Sequence, residues 1–355
     1  MEELFMRFFP HKFGSIFASP IRLLGGQSLI KILKFVPENS GLWRLILLTA
    51  FLIVPFSAMC SQSGGEGKMS KKAERIVRKT FGDGRWFPEN REVLYSMVNG
   101  YIENAEVEDL GDRIVGAIAP HAGYPYSGKV AGYAFRAIRD NARAGHQPET
   151  VLVFGISHRG GFPGVAIMDG HAIKTPLGEV ELDREAAELL VSQSPLISFN
   201  YAPHAGEHSA ENEIPFVQAA LPGTKIIVAL IGDHDPQTLH DLVEALGVLA
   251  KKKKVLVIAS SDMLHDPNYS LVTRIDRETL EKVKSMDHSA IRKGWSPSKQ
   301  TFCGIMPVLA VMQFARSQGC KKGTVLHYRN SGDDFPESRG RWVVGYGSAV
   351  FVAPE

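Results

Sequence analysis

Four stretches of this chain, at 114–119, 151–156, 225–231 and 255–260, are apolar or small at almost every position. A strand with one wet face alternates apolar and polar residues, so a near-continuous apolar run of this length belongs to a strand covered on both sides. Further strand-like runs lie at 165–168, 324–329 and 343–352. Helical patterns at 89–100, 128–143, 183–194, 210–220, 236–250, 274–293 and 305–318 alternate with them. The alternation predicts a single α/β domain whose central sheet carries helices on both faces. No helical pattern separates the last two runs. They are expected to form an antiparallel hairpin around Asn330–Arg341, which makes the sheet mixed.

Three of these runs lead into a histidine: IVGAIAP into His121, VLVFGIS into His158 and VLVIASSDML into His265. Ligands of open α/β sheets bind in the crevice at the carboxyl ends of the strands. Three imidazoles delivered to one edge would build a metal or acid–base site. Tyr124 and Tyr126 follow His121 and carry hydroxyls that can donate hydrogen bonds to a substrate. Asp262 is placed to orient a neighbouring imidazole or to join a metal shell itself.

Other candidates are less sharply defined. Glu207, His208 and Glu211 read as a helix start that Ser209 could cap. Either they are solvated charges at that start, or His208 and one carboxylate face the histidine crevice. His204 is expected to face solvent. Cys303 and Gly304 precede an apolar helix, and a thiol at a helix N-terminus has a lowered pKa that suits a metal ligand or a nucleophile. Inert burial is the alternative for that thiol. No role is expected for Cys320, and Lys251–Lys254 reads as a solvated cluster at a helix end.

Composition removes several function classes. Forty basic against 38 acidic residues give a net charge of +2, without the basic excess of a nucleic-acid binder. The three cysteines, Cys60, Cys303 and Cys320, cannot form a disulfide framework and match no zinc-finger spacing. There is no G-x-S-x-G nucleophile elbow, no H-E-x-x-H and no Gly-rich phosphate loop.

The first 70 residues differ from the rest. Residues 1–44 form a basic leader with six Lys/Arg and three Asp/Glu, and Leu45–Met59 carries no charge. Fifteen apolar residues are short for a membrane span and suit the core of a signal peptide. With Cys60 behind them and a Ser/Gly-rich linker at 61–70, the order resembles a bacterial lipoprotein signal. The expectation is export and membrane tethering through Cys60. The alternatives are an uncleaved anchor, an apolar N-terminal helix, or a cytoplasmic protein whose leader is an artefact of the start codon. The folded domain is expected over 71–355.

Seven ordered motifs carry a resemblance that covers Arg85 to Phe351. They are PHAGYPYSG (120–128), GISH (155–158), TPLGEVELD (175–183), EHSAENEIPF (207–216), SSDMLH (260–265), CG (303–304) and VVGYGSAVF (343–351). In this order they resemble the MEMO family, whose bacterial and archaeal members are called AmmeMemoRadiSam system protein B. The resemblance implies a fold like that of the class III extradiol dioxygenases, non-haem iron enzymes that open catechol rings with two histidines and a glutamate on Fe(II). In the MEMO family a cysteine stands for the glutamate. Carried over by motif, His121, His158 and Cys303 would hold one ion, iron or copper. His265 would be the acid–base group, and Asp262, His208 and Tyr124 would line or position.

Thiolate shifts metal preference toward softer ions such as Cu(I), although it also ligates iron. Two classes of function stay open at this point. One is a metal-dependent redox or dioxygenase-like enzyme acting on a small, phenolic substrate. The other is a non-catalytic module that binds a metal or a peptide and works with radical-SAM and AmmeMemoRadiSam protein A partners.

Overall fold

The computed structural model describes residues 74–354. The basic leader, the apolar segment, Cys60, the linker and residues 71–73 lie outside the described residues. From Glu74 the chain forms one α/β unit. Its strands are β1 (Val77–Lys79), β2 (Arg113–Ala119), β3 (Thr150–Ile156), β4 (Val165–Ile167), β5 (Ala172–Thr175), β6 (Gly178–Glu181), β7 (Ile197–Phe199), β8 (Lys225–Ile231), β9 (Val255–Ser260), β10 (His265–Asp266), β11 (Gly323–Asn330) and β12 (Val343–Ala353). Its helices are α1 (Arg91–Glu103), α2 (Tyr124–Asn141), α3 (Arg184–Val191), α4 (Ile214–Ala220), α5 (Pro236–Ala250), α6 (Tyr269–Lys284), α7 (His288–Gly294), α8 (Ile305–Ser317) and α9 (Ser331–Asp334).

The main sheet has nine strands. Eight run in the order β10-β12-β2-β9-β3-β8-β4-β7, and β11 pairs with β12. Strands β2, β9, β3 and β8 are mutually parallel and form its centre. Strands β11 and β12 make the expected antiparallel pair, and β12 joins β2 antiparallel, so the sheet is mixed. A separate three-stranded sheet, β1-β5-β6, holds the TPLGEVELD segment.

The period of two along each central strand divides the interior into two layers. Leu152, Phe154, Ile227, Ala229, Val257 and Ala259 enter one layer, together with Leu190 of α3, Leu246 of α5 and Met312 of α8. Their neighbours Val151, Val153, Ile226, Val228, Leu256 and Ile258 enter the other, against Leu94 and Val98 of α1, Phe135 of α2 and Phe216 of α4. This double burial explains why the central strands read as unbroken apolar runs.

Departures from the sequence reading have local causes. Helix α2 starts at Tyr124, four residues earlier than expected, because Pro125 sits in the first turn, where its missing N–H is not needed. The segment 274–293 is two helices. Met286 turns left-handed (φ 57°), and the Asp287 side chain then accepts from Ala290 N–H (2.9 Å) to cap α7. Glu211–Glu213 form a 3-10 turn ahead of α4. The short strands β1, β5, β6, β7 and β10 carried too few residues for a periodic signal. Lys253 is not a freely solvated charge, since its Nζ pairs with the buried Asp183 carboxylate at 3.0 Å. Among the described residues no helix is long and apolar enough to cross a membrane.

Helices α1 and α2 approach closely where α2 has no side chain. A Cβ on Gly132 would stand 2.4 Å from the Tyr101 carbonyl oxygen of α1, a backbone atom that can only move with its helix. Gly132→Ala is therefore expected to cost about 1–3 kcal/mol of stability, the range for overpacking a filled interior. Urea unfolding followed by circular dichroism measures it, and an unchanged midpoint would mean that α1 shifts freely.

Candidate metal centre

The sheet order puts β9 between β2 and β3, with Ala119 level with Ser260 and Phe154 level with Ala259. Chain leaving β2 presents His121, chain leaving β3 presents His158, and chain leaving β9 presents Asp262. Cys303, one residue before the Gly304 that opens α8, comes up beside them; its N–H donates to the Asp262 carbonyl (3.1 Å). His121, His158 and Cys303 each offer a ligand atom, all within 4.8 Å of one another. Cys303 Sγ lies 3.4 Å from His121 Nε2. Cys303 and His121 are buried, whereas the His158 side chain is 37% exposed, so the group opens to solvent on that side.

The outer nitrogen of each imidazole is already engaged. His158 Nδ1–H donates to Glu207 Oε1 at 2.9 Å; a carboxylate only accepts, so Nε2 is left free to face the cluster. His121 Nδ1 lies 3.1 Å from Ser260 Oγ. That hydroxyl has one proton, which goes to the Ser209 carbonyl (2.6 Å) or to Glu213 Oε1 (2.8 Å), so a lone pair is left for the imidazole. Fixing Nδ1 in this way selects the tautomer whose Nε2 can ligate. Burial pushes the Glu213 carboxyl up to about 8, which keeps it neutral at pH 7.

Charge inside the group favours a thiolate. Burial works against ionising Cys303, but the charge of His121, the hydrogen bond to it and the nearby His158 outweigh burial and bring the thiol down to about 6. Burial likewise opposes a charge on His158, yet the nearby Cys303 and the hydrogen bond to Glu207 raise it to about 10. Without metal, these shifts favour an imidazolium beside a thiolate.

Around these three stand the other residues singled out in the sequence. Asp262 is buried; its Oδ1 accepts from the His121 N–H (2.9 Å) and the Ala122 N–H (3.2 Å), so it fixes the turn that aims His121. His265 begins the short β10, and its buried Nε2 has no partner among the described residues. Burial lowers its pKa despite the nearby Asp262. His208 is sandwiched between Trp86 (ring centroids 3.7 Å apart) and His158 (4.7 Å). Burial, helped by charge on His121 and His158, brings it down to about 3, so it is a neutral wall of the pocket.

Tyr124 is a core residue. Its hydroxyl donates to the Asn212 carbonyl (2.7 Å) and its ring packs on Phe87 and Phe216, bracing the segment behind the site. Tyr126 packs its ring on Phe335. His204 does not face solvent: it is buried, its ring nitrogen meets the Ala166 carbonyl at 3.0 Å, and burial lowers it to about 4. Ser209 caps no helix; its hydroxyl donates to the Ile156 carbonyl and accepts from the Ile156 N–H, pinning the end of β3. Of the two carboxylates considered, Glu207 reaches the cluster. Glu211 instead accepts from Phe81 N–H (2.6 Å), and burial pushes it up to about 8. Cys320 is buried elsewhere, with its thiol pushed up to about 11 by burial.

The sequence reading missed two contributors. Trp86 gives no sign of its stacking partner, because no spacing rule links it to a histidine 122 positions later. Asp276, inside α6, accepts from Leu264 N–H (3.1 Å) and from the Tyr328 hydroxyl (2.9 Å), and so holds the loop that carries His265. A buried acid in an otherwise amphipathic helix was the available signal.

Because the folded pKa of Cys303 lies below its reference value of 9.0, its ionisation stabilises the metal-free fold fully above about pH 9. That contribution shrinks as pH falls and is gone below about 6. The expected observation is a thiolate absorbance at 240 nm, present in the metal-free protein and missing from Cys303→Ala, that titrates with a midpoint near pH 6. A midpoint near about 8.5, that of a free thiol, would remove the imidazole–thiolate pairing.

Comparison with known proteins follows the same segments. A family model described as Memo-like protein matches residues 78–350. A MEMO1 family protein of Nitrosopumilus maritimus is 30% identical over 283 residues, covering 78% of this chain and all of the relative. One from Methanopyrus kandleri is 30% identical, covering 76% of this chain and 96% of its own. Another, from Sulfurisphaera tokodaii, is 34% identical over 66% of this chain and 81% of its own length. The matched span takes in the parallel centre of the main sheet, all three cluster residues and the buried acids behind them, and the chain belongs to the Memo-like protein family.

Proposed function

We propose that this protein is a metal-dependent redox enzyme in which His121, His158 and Cys303 hold a single iron or copper ion. The observation that carries the reading is the convergence of three ligand atoms whose imidazoles have both outer nitrogens fixed by oxygen acceptors. A buried thiolate between two imidazoles is a soft, charge-compensating donor set, and it leaves coordination positions open toward the exposed side of His158. When bound, the ion would supply one-electron chemistry and Lewis acidity.

The protein's own groups supply the rest. Asp262 and Glu207 hold the two histidine-bearing turns through backbone N–H groups. Trp86 and His208 stack in turn against His158 and brace its ring, and the choice of a small, phenolic substrate rests on the family resemblance. His265, neutral and with Nε2 unpartnered among the described residues, is the group able to take a proton from such a substrate and return it. The charge-free run before Cys60 supports tethering of the mature protein at a membrane through that cysteine.

The test is metal analysis of the full chain after anaerobic reconstitution. About one ion per chain is expected in the parent, with loss in His121→Ala and Cys303→Ala. Glu207→Gln is expected to weaken metal affinity about 10–100-fold, as removal of an orienting partner does. His265→Ala is expected to keep its metal and lose turnover of phenols. If iron and copper are absent from the parent, the enzyme reading fails, and the same pocket becomes a binding module for radical-SAM and AmmeMemoRadiSam protein A partners.

A further inference from the structure

A cavity of about 230 Å³ lies between the loop after β3 and the 202–205 turn. It is lined by Ser157 and Arg159, which flank His158 in the chain, by Gly160 and Gly161, and by Phe162 and Pro203 among its apolar walls. Pockets for drug-sized ligands run to roughly 300–1,000 Å³, so this one suits a single ring or a short acid.

Arg159 gives the cavity its chemistry. Its one hydrogen bond among the described residues is from its backbone N–H to Ser157 Oγ (3.3 Å). Glu207, next to Gly206 in the chain, is turned instead to the N–H groups of His158, His208 and Ser209 and to the His158 ring. The Arg159 guanidinium rests instead on bare backbone: a Cβ on Gly206 would stand 2.5 Å from its Nη1. Gly206 is left-handed (φ +82°), and it is this backbone conformation that favours glycine there. On the opposite wall the Phe162 ring occupies the place a side chain at Gly232 would fill, and Phe162 N–H donates to the Gly232 carbonyl (3.0 Å). The cavity thus brings together a guanidinium that has no ion pair among the described residues and an aromatic, apolar lining.

We propose that this cavity is an anion-anchoring subsite in which Arg159 grips the carboxylate or phosphate of a small amphiphilic acid whose apolar body lies along Phe162 and Pro203. A guanidinium presents two parallel N–H donors that match the paired oxygens of either group. His158 lies between Ser157 and Arg159 in the chain, so a ligand held here would sit on the loop that carries a cluster histidine. As a substrate site it rests on the metal-centre reading; as an anion site it does not.

Calorimetric titration of the full chain, metal-free and metal-loaded, separates the two. The probes are benzoate, phenyl phosphate and, as the uncharged counterpart, benzyl alcohol. Benzoate or phenyl phosphate is expected to bind the parent in both forms, at least about tenfold tighter than benzyl alcohol. Arg159→Gln should lose that preference without changing the alcohol or the melting temperature, since the side chain is exposed. Arg159→Lys, which keeps the charge and loses the fork, should fall between. The tighter of the two acids identifies whether carboxylate or phosphate is the natural group. Acid binding unchanged in Arg159→Gln, or undetectable in the parent in both forms, overturns the proposal. Arg159-dependent binding in a chain that takes up no metal leaves the anion site standing and removes the redox reading alone.

Discussion

One buried carboxylate organises the site. Glu207 accepts the backbone N–H groups of His158, His208 and Ser209 and the ring N–H of His158. These partners come from two chain segments, the exit of β3 and the turn ahead of α4. An anion at 2% exposure is tolerable only with such dense donation, because removing a charge from water without partners costs several kcal/mol or more. The same four bonds that satisfy Glu207 therefore fix the direction of His158, the position of His208 and, through Ser209, the end of the central strand.

Asp262 plays the matching part on the other side of β9. Its Oδ1 holds the turn that carries His121, while its carbonyl receives the N–H of Cys303. Two acids thus govern three ligand atoms without touching the position between them. Direct contact would have added negative charge to the thiolate. Asp262 acts on His121 through backbone N–H groups, whereas Glu207 adds a hydrogen bond to the His158 ring and so favours its charged form.

Much of this was legible in the sequence, for a reason specific to parallel sheets. Strands buried on both faces have no polar face to encode, so they stand out as apolar runs, and their ends mark the crevice. His121 and His158 were found in this way. Cys303 was found from its place before an apolar helix. What the sequence hid depended on pairing in space. Trp86 stacks on His208 from a loop ahead of α1, and Asp276 reaches Leu264 from within a helix. His204 looked like a surface residue because its neighbours are polar and small, yet the turn folds it under β4. Tyr124 looked available because it follows a glycine. Pro125 instead starts the helix there and turns the ring into the interior.

The division of the interior into two layers has a consequence for how substitutions combine. Leu152 and Val153 are adjacent in the chain but belong to different layers, with the sheet backbone between their side chains. Changes on opposite sides of the sheet add where they lie more than about 7–10 Å apart, whereas neighbours such as Leu152 and Val153 can couple through the backbone they share. Coupling is concentrated at the carboxyl ends of β2, β3 and β9, where both layers hold the same turns. The fold can thus absorb change across most of its volume, layer by layer, while the edge that bears His121, His158 and Cys303 responds as a unit.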